Sequence, residues 1–318
     1  MNESEVIKYL IKKFGKPSKS FSNLHDDVAF MKDDGYYHVF KVDMLVESTD
    51  VPPLMRPYQI ARKSIVSCVS DLIAKGVKPI AAMISLGLPR DKSDRWIKNL
   101  IRGFVIAKKE YDIEIIGGDT NESKELVIDC FMYGRANRVV KRKGARIGDR
   151  VLTVPIYGYT KLGLLHLLER KPIPRGWKKK VLDSVFFPKP PVELGVKVIS
   201  KYATSSMDSS DGLSITLNEI ASINSVGILI YEMPTPEGFI EAVLQYNYDP
   251  VDLVFFGGEE YQPVFTVNKE EVGTVIELSR RLGIGVVEIG EVIKERGVFL
   301  RIGDKKRRLE PKGWIHLT

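Results

Sequence analysis

Six segments of this chain combine an apolar run with one or two acidic residues, and two of them also carry a Gly-Gly pair. Singly, each has an ordinary explanation as a turn, a helix cap or a solvated face. Together they place many carboxylates on segments apolar enough to be buried, and a buried unpaired carboxylate is costly. Mg²⁺ relieves such a cost and is commonly held by carboxylates plus substrate phosphates. We therefore expect a multi-metal nucleotide site, and the acids concerned are Asp27, Asp43, Asp71, Asp119, Asp208 with Asp211, and Glu259.

The densest of these segments has the sequence Met207-Asp208-Ser209-Ser210-Asp211-Gly212. A helix is predicted after it, so Ser210 or Asp211 can be an N-cap that accepts from free backbone N–H groups. A cap does not account for two aspartates three residues apart, nor for a glycine that permits close approach. Acids crowded at the start of a helix repel one another unless a cation lies between them. We therefore interpret Asp208 and Asp211 as metal ligands.

Strand and helix patterns are mixed irregularly along both halves of the chain. The first half predicts strands over residues 36–46 and 79–88 and a helix over 57–75, with a turn at Gly117-Gly118-Asp119. Residues 137–149 are basic, contain two glycines and are interpreted as an interdomain connection. The pattern favours an α+β (mixed α/β) fold over a doubly wound sheet. We assign residues 1–137 and 138–318 to two domains, with the site at a domain or subunit seam.

The net charge of +7 raises the question of a nucleic-acid partner. Basic runs at 141–143, 178–180 and 305–308 contain no aromatic residues and match no RNA-binding motif. A basic surface also suits a polyphosphate substrate, so no nucleic-acid partner is expected. Cys68 and Cys130 have neither metal-ligand spacing nor a disulfide framework, which is typical of a reducing compartment. Because no signal-peptide pattern and no apolar run of membrane-spanning length is present, we expect a cytoplasmic protein without a membrane partner.

Several common catalytic motifs are missing from the sequence. It contains no G-x-x-x-x-G-K-[ST] segment and no G-x-G-x-x-G that opens a helix, so neither a P-loop nor a Rossmann site is expected. It contains no G-x-S-x-G segment, and its four histidines are scattered along the chain. The sequence therefore does not support a hydrolytic triad. The nucleotide site is therefore expected to be of another kind.

The acidic segments occur in an order that resembles one known family, the thiamine-monophosphate kinases of the aminoimidazole ribonucleotide synthetase superfamily. The resemblance covers nearly the whole chain and extends to Pro311-Lys312-Gly313-Trp314 near its end. It implies a two-domain PurM-like architecture, with an N-terminal mixed-sheet domain that forms a homodimer interface and a C-terminal α+β domain. The matching motifs are Asp-Asp-Val-Ala, Val-Asp-Met-Leu-Val-Glu, Val-Ser-Asp-Leu-Ile-Ala-Lys-Gly, Gly-Gly-Asp-Thr, Met-Asp-Ser-Ser-Asp-Gly-Leu and Gly-Gly-Glu-Glu-Tyr.

The resemblance implies direct in-line transfer of the γ-phosphoryl group of ATP onto thiamine monophosphate, which gives thiamine diphosphate and ADP. Several Mg²⁺ ions would align and neutralise two anions, and no covalent nucleophile is expected. By motif position, the implied metal ligands are Asp27, Asp43, Asp71, Asp119, Asp208 and Asp211. The implied nucleotide contacts are Gly118, Asp119, Arg142 and Ser210, and the implied thiamine-phosphate contacts are Asp50, Glu259 and Trp314. Trp314 also suits a cationic thiazolium on its own chemistry, although packing against the core explains it equally well.

Two departures from the family pattern affect the metal site. Lys41 and Val42 stand where the family usually has Ser-Thr or Thr-Thr, and His25 stands where it has Gly. We hypothesise that the Lys41 ammonium takes over part of one cation's role. The alternative is that Lys41 points away and the site holds fewer metals.

Other functions remain open from the sequence. The chain can be another ATP-dependent member of the superfamily with a different substrate, or a non-catalytic ATP-binding paralogue. Hydrogenase-maturation members end in a cysteine and selenophosphate synthetases carry a reactive Cys or selenocysteine near the N-terminus, and this sequence has neither feature. A nucleic-acid binder ranks last because it leaves the acids unexplained.

Overall fold

The computed structural model describes residues 3–15, 17, 21–22 and 26–313. Its strands are β1 (Ala29–Asp33), β2 (Tyr36–Val46), β3 (Lys78–Leu88), β4 (Glu114–Glu122), β5 (Val127–Ala136), β6 (Arg150–Thr153), β7 (Ala203–Ser209), β8 (Gly227–Ile230), β9 (Gln262–Val267), β10 (Val287–Ile293), β11 (Gly297–Ile302) and β12 (Lys305–Arg308). Its helices are α1 (Glu3–Phe14), α2 (Glu47–Asp50), α3 (Pro57–Ala74), α4 (Asp94–Tyr111), α5 (Tyr159–Glu169), α6 (Lys178–Phe186), α7 (Val192–Leu194), α8 (Ser200–Tyr202), α9 (Leu213–Asn224), α10 (Phe239–Leu244), α11 (Pro250–Phe255) and α12 (Val272–Arg281). A π-helical turn, Gly195–Ile199, joins α7 to α8, and a short 3₁₀ turn, Lys269–Glu271, precedes α12.

The first half of the chain builds a mixed sheet of order β1-β2-β5-β3-β4 within the described residues. Only the pairing of β3 with β4 is parallel, and the other neighbours are antiparallel. Along β2, Val39 and Leu45 are buried while Val42 and Met44 are exposed. This two-residue alternation means that one face of the sheet packs on helices and the other is left open.

Helix α3 is the central element of the molecule. It contacts β2, β5 and β3 of the first sheet and also β7 and β9 of the second. Fifteen of its eighteen residues are buried, including the charged Arg62, Lys63 and Asp71. Pro57 opens the helix, where the missing N–H costs nothing, and Gln59 accepts a hydrogen bond from the Arg56 N–H at 2.7 Å. Because α3 lies between two sheets, its polar side chains point into the junction rather than into solvent.

The second half builds a seven-stranded sheet of order β12-β11-β8-β10-β6-β9-β7 within the same described residues. Its strands pair antiparallel except β8 with β11. Helix α9 packs beside β7, β8, β9 and β11, with Leu213, Leu217 and Ile220 fully buried. Strand β7 is an edge strand that faces α3, so the chain brings Asp208 to the junction between the two halves.

The predicted mixed α/β fold is confirmed, with one sheet built by each half of the chain. One local prediction is wrong: Gly117-Gly118-Asp119 is not a turn, because β4 runs through it in parallel register with β3. A Cβ at Gly118 would lie 1.8 Å from the Ile84 carbonyl oxygen, so this close strand pairing requires glycine. No helix in the described ranges has the length and apolar character of a membrane span.

Candidate active site

Three aspartates from distant parts of the chain lie side by side at the junction of the two halves. Asp27 precedes β1, Asp71 is on the last turns of α3, and Asp208 is on β7. One carboxylate oxygen from each lies within 4.8 Å of the others, and all three residues are buried. Ser70 orients Asp208, because its hydroxyl donates to Asp208 Oδ2 at 2.7 Å. These oxygens form the kind of donor set that a hard divalent cation prefers.

Two cations from the chain offset part of this negative charge. Lys75, which has no exposed surface, caps α3 and lies 2.7 Å from Asp26 Oδ1, with a second ion pair to Asp27. Its Nζ also donates to the Ser206 carbonyl oxygen at 2.6 Å. Arg142 Nε donates to Asp27 Oδ1 at 2.7 Å from the segment after β5. Asp27 is thereby fixed between Lys75 and Arg142.

A third cation lies on β2. Lys41 and Asp43 are two residues apart and therefore point to the same face of the sheet, towards α3. Lys41 Nζ is 2.7 Å from Asp71 Oδ2 and 3.7 Å from Asp43 Oδ2. The structure therefore brings Asp43 next to the three clustered aspartates, with a lysine between them. We call Asp26, Asp27, Asp43, Asp71 and Asp208 the acidic cluster.

The pKa values in the acidic cluster follow from burial and from the position of each cation. Burial tends to raise the pKa of Asp27, but Lys75 and Arg142 outweigh it and lower the value to about 2. Burial raises the pKa of Asp71 well above its usual value, and the negative charge of Asp208 raises it further. Burial, with a contribution from Asp27, raises the pKa of Asp208 to about 6. When ionised, Asp71 and Asp208 therefore carry charge that the chain's own cations do not fully neutralise.

The turn after β7 is bound to the Gly257–Gly258 loop. The Ser210 carbonyl oxygen accepts from the Glu259 N–H at 2.6 Å. A Cβ at Gly212 would lie 2.3 Å from the Gly257 carbonyl oxygen, so the two segments touch through backbone alone. Helix α9 begins at Leu213 and its N-cap is Gly212, so neither Ser210 nor Asp211 is the N-cap residue that the alternative explanation required. Both residues lie half-buried in this turn, next to the acidic cluster in sequence.

Asp50 and Glu259 line one cavity of about 420 Å³. Its walls are largely apolar and include Leu164, Leu165 and Phe256. Buried Lys63 connects the two acids: its Nζ donates to the Asp50 carbonyl oxygen at 2.8 Å and pairs with Glu259. The Asp50 carboxylate itself accepts from the Val46 N–H at 2.7 Å. Gly313 also lines this cavity, whereas Trp314 lies outside the described residues.

Arg142 lines a second cavity, of about 510 Å³. Lys141 and Lys143 add positive charge to its wall, and Asp26 and Glu219 add negative charge. Phe30 contributes an aromatic face, over which Lys141 Nζ lies 5.4 Å from the ring centroid. A cavity with three basic residues in its wall, and with Asp26 of the acidic cluster beside them, suits a polyphosphate with its accompanying cations.

Asp119 and Gly118 lie apart from the other predicted ligands. Gly118 on β4 is in register with Ile84 on β3, Cys130 on β5 and Asp43 on β2, so three strand spacings separate it from Asp43. Asp119, the next residue, is therefore about 14 Å from Asp43 at ordinary strand spacing. Asp119 is exposed, and its register with Ser85 places its side chain on the open face of the sheet, opposite α3. Within one chain it does not join the acidic cluster.

The sequence analysis missed three residues that hold the site together: Lys63, Ser70 and Lys75. All three are on α3 or at its end. Each has an ordinary appearance in the sequence, because a lysine near a helix C-terminus is common and a serine in a helix is unremarkable. The one available signal was that these polar residues lie among apolar residues in a helix pattern.

Comparison with known proteins shows the family of this chain and confirms the predicted PurM-like two-domain fold. The model of the AIR synthase related protein N-terminal domain matches residues 25–136, and that of the C-terminal domain matches residues 166–303. A thiamine-monophosphate kinase of Nitrosopumilus maritimus is 40% identical over 99% of this chain and 98% of its own length. One of Pyrococcus horikoshii is 35% identical over 100% of this chain and 96% of its own length. A solved structure described as AaThiL complexed with AMPPCP and TMP is 31% identical, with a TM-score of 0.86 over 99% of this chain and 97% of that one.

Proposed function

This chain belongs to the thiamine-monophosphate kinases of the AIR synthase related family, and from that membership we propose that it transfers the γ-phosphoryl group of ATP onto thiamine monophosphate. The observation that carries the proposal is the buried convergence of Asp27, Asp71 and Asp208. A solved relative that is described as holding AMPPCP and TMP supports both substrates.

The acidic cluster fits a divalent cation such as Mg²⁺. It contains five carboxylates and three chain cations, Lys41, Lys75 and Arg142, which leaves two negative charges if all the acids are ionised. Asp71 and Asp208, whose charge is least compensated, would hold the ion together with Asp27. When bound, the ion supplies charge neutralisation and alignment for the transferring phosphoryl group. The predicted use of several Mg²⁺ ions remains part of this proposal.

The two cavities offer separate places for the two substrates. We assign the nucleotide to the cavity with Arg142, whose guanidinium is held by Asp27 and faces incoming phosphates. We assign thiamine monophosphate to the apolar cavity with Asp50 and Glu259. In-line transfer then requires the two phosphates to meet at the acidic cluster. Because the acceptor oxygen belongs to the substrate's own phosphate, no side-chain nucleophile is needed, and the residues act by positioning and electrostatics.

Glu259→Gln tests the assignment of the thiamine cavity. Glu259 gives this cavity a carboxylate that can interact with the cationic, hydrogen-bond-donating thiamine group, and such charged interactions contribute about 1.5–3 kcal/mol. We therefore expect the KM for thiamine monophosphate to rise by about ten- to a hundredfold. The KM for ATP should stay within about twofold, because the nucleotide lies in the other cavity.

Initial rates with each substrate varied in turn measure both constants. Glu277→Gln, which removes an exposed carboxylate that pairs with Arg280 and Arg281, is the matched control. Equal increases in both KM values, or no change in either, would contradict the assignment of the cavity.

We further propose a homodimer that completes the site. The open face of the first sheet exposes Val42 at 57%, Met44 at 59%, Met83 at 40% and Ile116 at 66%, an apolar surface typical of protein interfaces. Asp119 lies on this same face, in one cross-strand row with Ser85, Asp129 and Met44. A partner sheet packed on this face would place Asp119 of each chain in the interface between the two chains. Because Asp119 does not join the acidic cluster of its own chain, we propose that it acts in the site of the partner.

A mixed dimer tests this sharing of residues. Asp119→Ala and Asp208→Ala chains are co-expressed with different tags, and the heterodimer is purified. If Asp119 acts across the interface, one of the two sites has all its ligands, and we expect about half of the wild-type activity per dimer. Each variant alone should be inactive. A heterodimer as inactive as its parents, or a purely monomeric wild-type protein in light scattering, would contradict the shared site.

A further inference from the structure

Lys41 is the closest cation to the carboxylates of Asp43 and Asp71. Its Nζ lies 2.7 Å from Asp71 Oδ2 and 3.7 Å from Asp43 Oδ2, so it sits between them. The side chain of Lys41 is 20% exposed, and that of Asp71 is 7% exposed. No other lysine, arginine or histidine among the described residues forms an ion pair with either acid. Lys41 thus occupies the position where a separate cation would otherwise be required.

The pairing pattern separates Lys41 from the other two chain cations. Lys75 and Arg142 neutralise Asp26 and Asp27 at one end of the acidic cluster. Without Lys41, the remaining charge would rise from two negative charges to three, all on the Asp43, Asp71 and Asp208 side. A single divalent cation cannot balance three charges held in a buried site, so a second ion would be favoured.

We propose that Lys41 is a tethered cation that takes the place of one divalent ion between Asp43 and Asp71. The inference rests on the proposed function only in that the acidic cluster binds divalent metal. The ammonium supplies a positive charge at a fixed position and at any metal concentration, since it is covalently attached to β2. The protein therefore needs fewer free divalent ions to assemble its site than the same site would need without the lysine.

A different role for Lys41 is to leave the aspartates when substrate binds and to contact a phosphate. In that case its replacement would weaken nucleotide binding and leave the number of metal ions bound to the free protein unchanged. The count of bound ions in the absence of nucleotide therefore distinguishes the two roles.

Mn²⁺ binding to the full-length protein, followed by the electron paramagnetic resonance signal of the free ion, gives this count. Lys41→Met removes the charge and keeps most of the stem, and we expect it to bind about one more Mn²⁺ per chain than wild type at saturation. Lys41→Arg keeps the charge and should bind the wild-type number. Lys108→Met removes an exposed lysine that pairs with Glu114, and it controls for the loss of one positive charge elsewhere.

Equal numbers of Mn²⁺ in wild type and Lys41→Met, with dissociation constants within about twofold, would overturn the inference. If Lys41→Met does not fold, Lys41→Gln goes through the same titration with the same two outcomes. Because the titration needs neither ATP nor thiamine monophosphate, its result is independent of the phosphoryl-transfer assay. A protein that gains an ion in Lys41→Met but makes no thiamine diphosphate would support this inference and contradict the proposed function.

Discussion

Asp208→Asn is expected to lower kcat/KM for phosphoryl transfer by at least about a thousandfold, which corresponds to about 4 kcal/mol of transition-state stabilisation. Asp208 lies within 4.8 Å of Asp27 and Asp71, and its carboxylate is one of the least compensated charges in the acidic cluster. Asparagine keeps the shape and can still accept from the Ser70 hydroxyl, so the fold should be retained. Loss of one carboxylate ligand removes the charge that holds the divalent cation.

The same substitution should make the metal-free protein more stable at pH 8. Burial raises the pKa of Asp208 in the folded state to about 6. When the pKa of a carboxyl group is raised in the folded state, the protein loses stability as the pH rises from the usual pKa of the group through its folded-state pKa. The reason is that the group ionises first in the unfolded chain. Asparagine removes this cost, so the melting temperature in EDTA should exceed that of wild type at pH 8, with a smaller difference near pH 4.

Thermal melts and initial rates on the same preparation separate catalysis from folding. Asp183→Asn, which changes an exposed aspartate that pairs with Lys179, should leave both quantities near wild type. An Asp208→Asn protein that retains more than about a tenth of the wild-type kcat/KM would remove this residue from the proposed metal site.

Lys75→Met is expected to lower the free energy of unfolding by about 3–5 kcal/mol. Lys75 is fully buried and pairs with Asp26 and Asp27, and its Nζ also donates to the Ser206 carbonyl oxygen. Methionine fills the volume of the lysine side chain. It leaves two buried carboxylates without the positive charge of Lys75, and one buried carbonyl oxygen without its hydrogen-bond donor. Breaking a buried ion pair on one side costs more than the pair contributes, because the remaining charge has lost its partner.

Urea denaturation at pH 7 in the absence of divalent ions measures the effect. Lys78→Met removes an exposed lysine of the same chain region, which pairs with Asp112 at 3.1 Å, and it should cost less than about 1 kcal/mol. Asp27→Asn in addition to Lys75→Met should recover part of the loss, since it removes one stranded charge. A loss below about 1 kcal/mol for Lys75→Met would show that the buried network is not coupled to folding.

Much of the fold and of the acidic cluster was predictable, because both the periodicity of apolar residues and the acidic residues that interrupt or follow apolar runs are local features of the sequence. The largely apolar run over residues 36–46 predicts a strand, and the two-residue repeat of a strand places Lys41 and Asp43 on one face. The convergence of Asp27, Asp71 and Asp208 follows from the cost of burying each of them alone. The sequence analysis thus predicted these members of the site for a physical reason, and their roles as ligands stay predictions.

The remaining features depend on contacts between distant segments. Gly117-Gly118-Asp119 has the composition of a turn, and only its parallel pairing with β3 makes it a strand. The position of Asp119 on the open face follows from that register, which local sequence does not encode. The partners of Lys75 come from the start of β1 and from β7, far apart in the chain. The domain boundary at residue 137, the cytoplasmic location and the role of Trp314 stay predictions.

The most direct test of the account is a coupled assay that quantifies ADP and thiamine diphosphate together. Purified protein is mixed with ATP, Mg²⁺ and thiamine monophosphate, and Asp208→Asn is run in parallel. The account predicts equal amounts of both products from the wild-type protein and neither from the variant. ADP without thiamine diphosphate, or ATP binding with no turnover, would contradict it and would mean a different acceptor or a chain that binds nucleotide without catalysis.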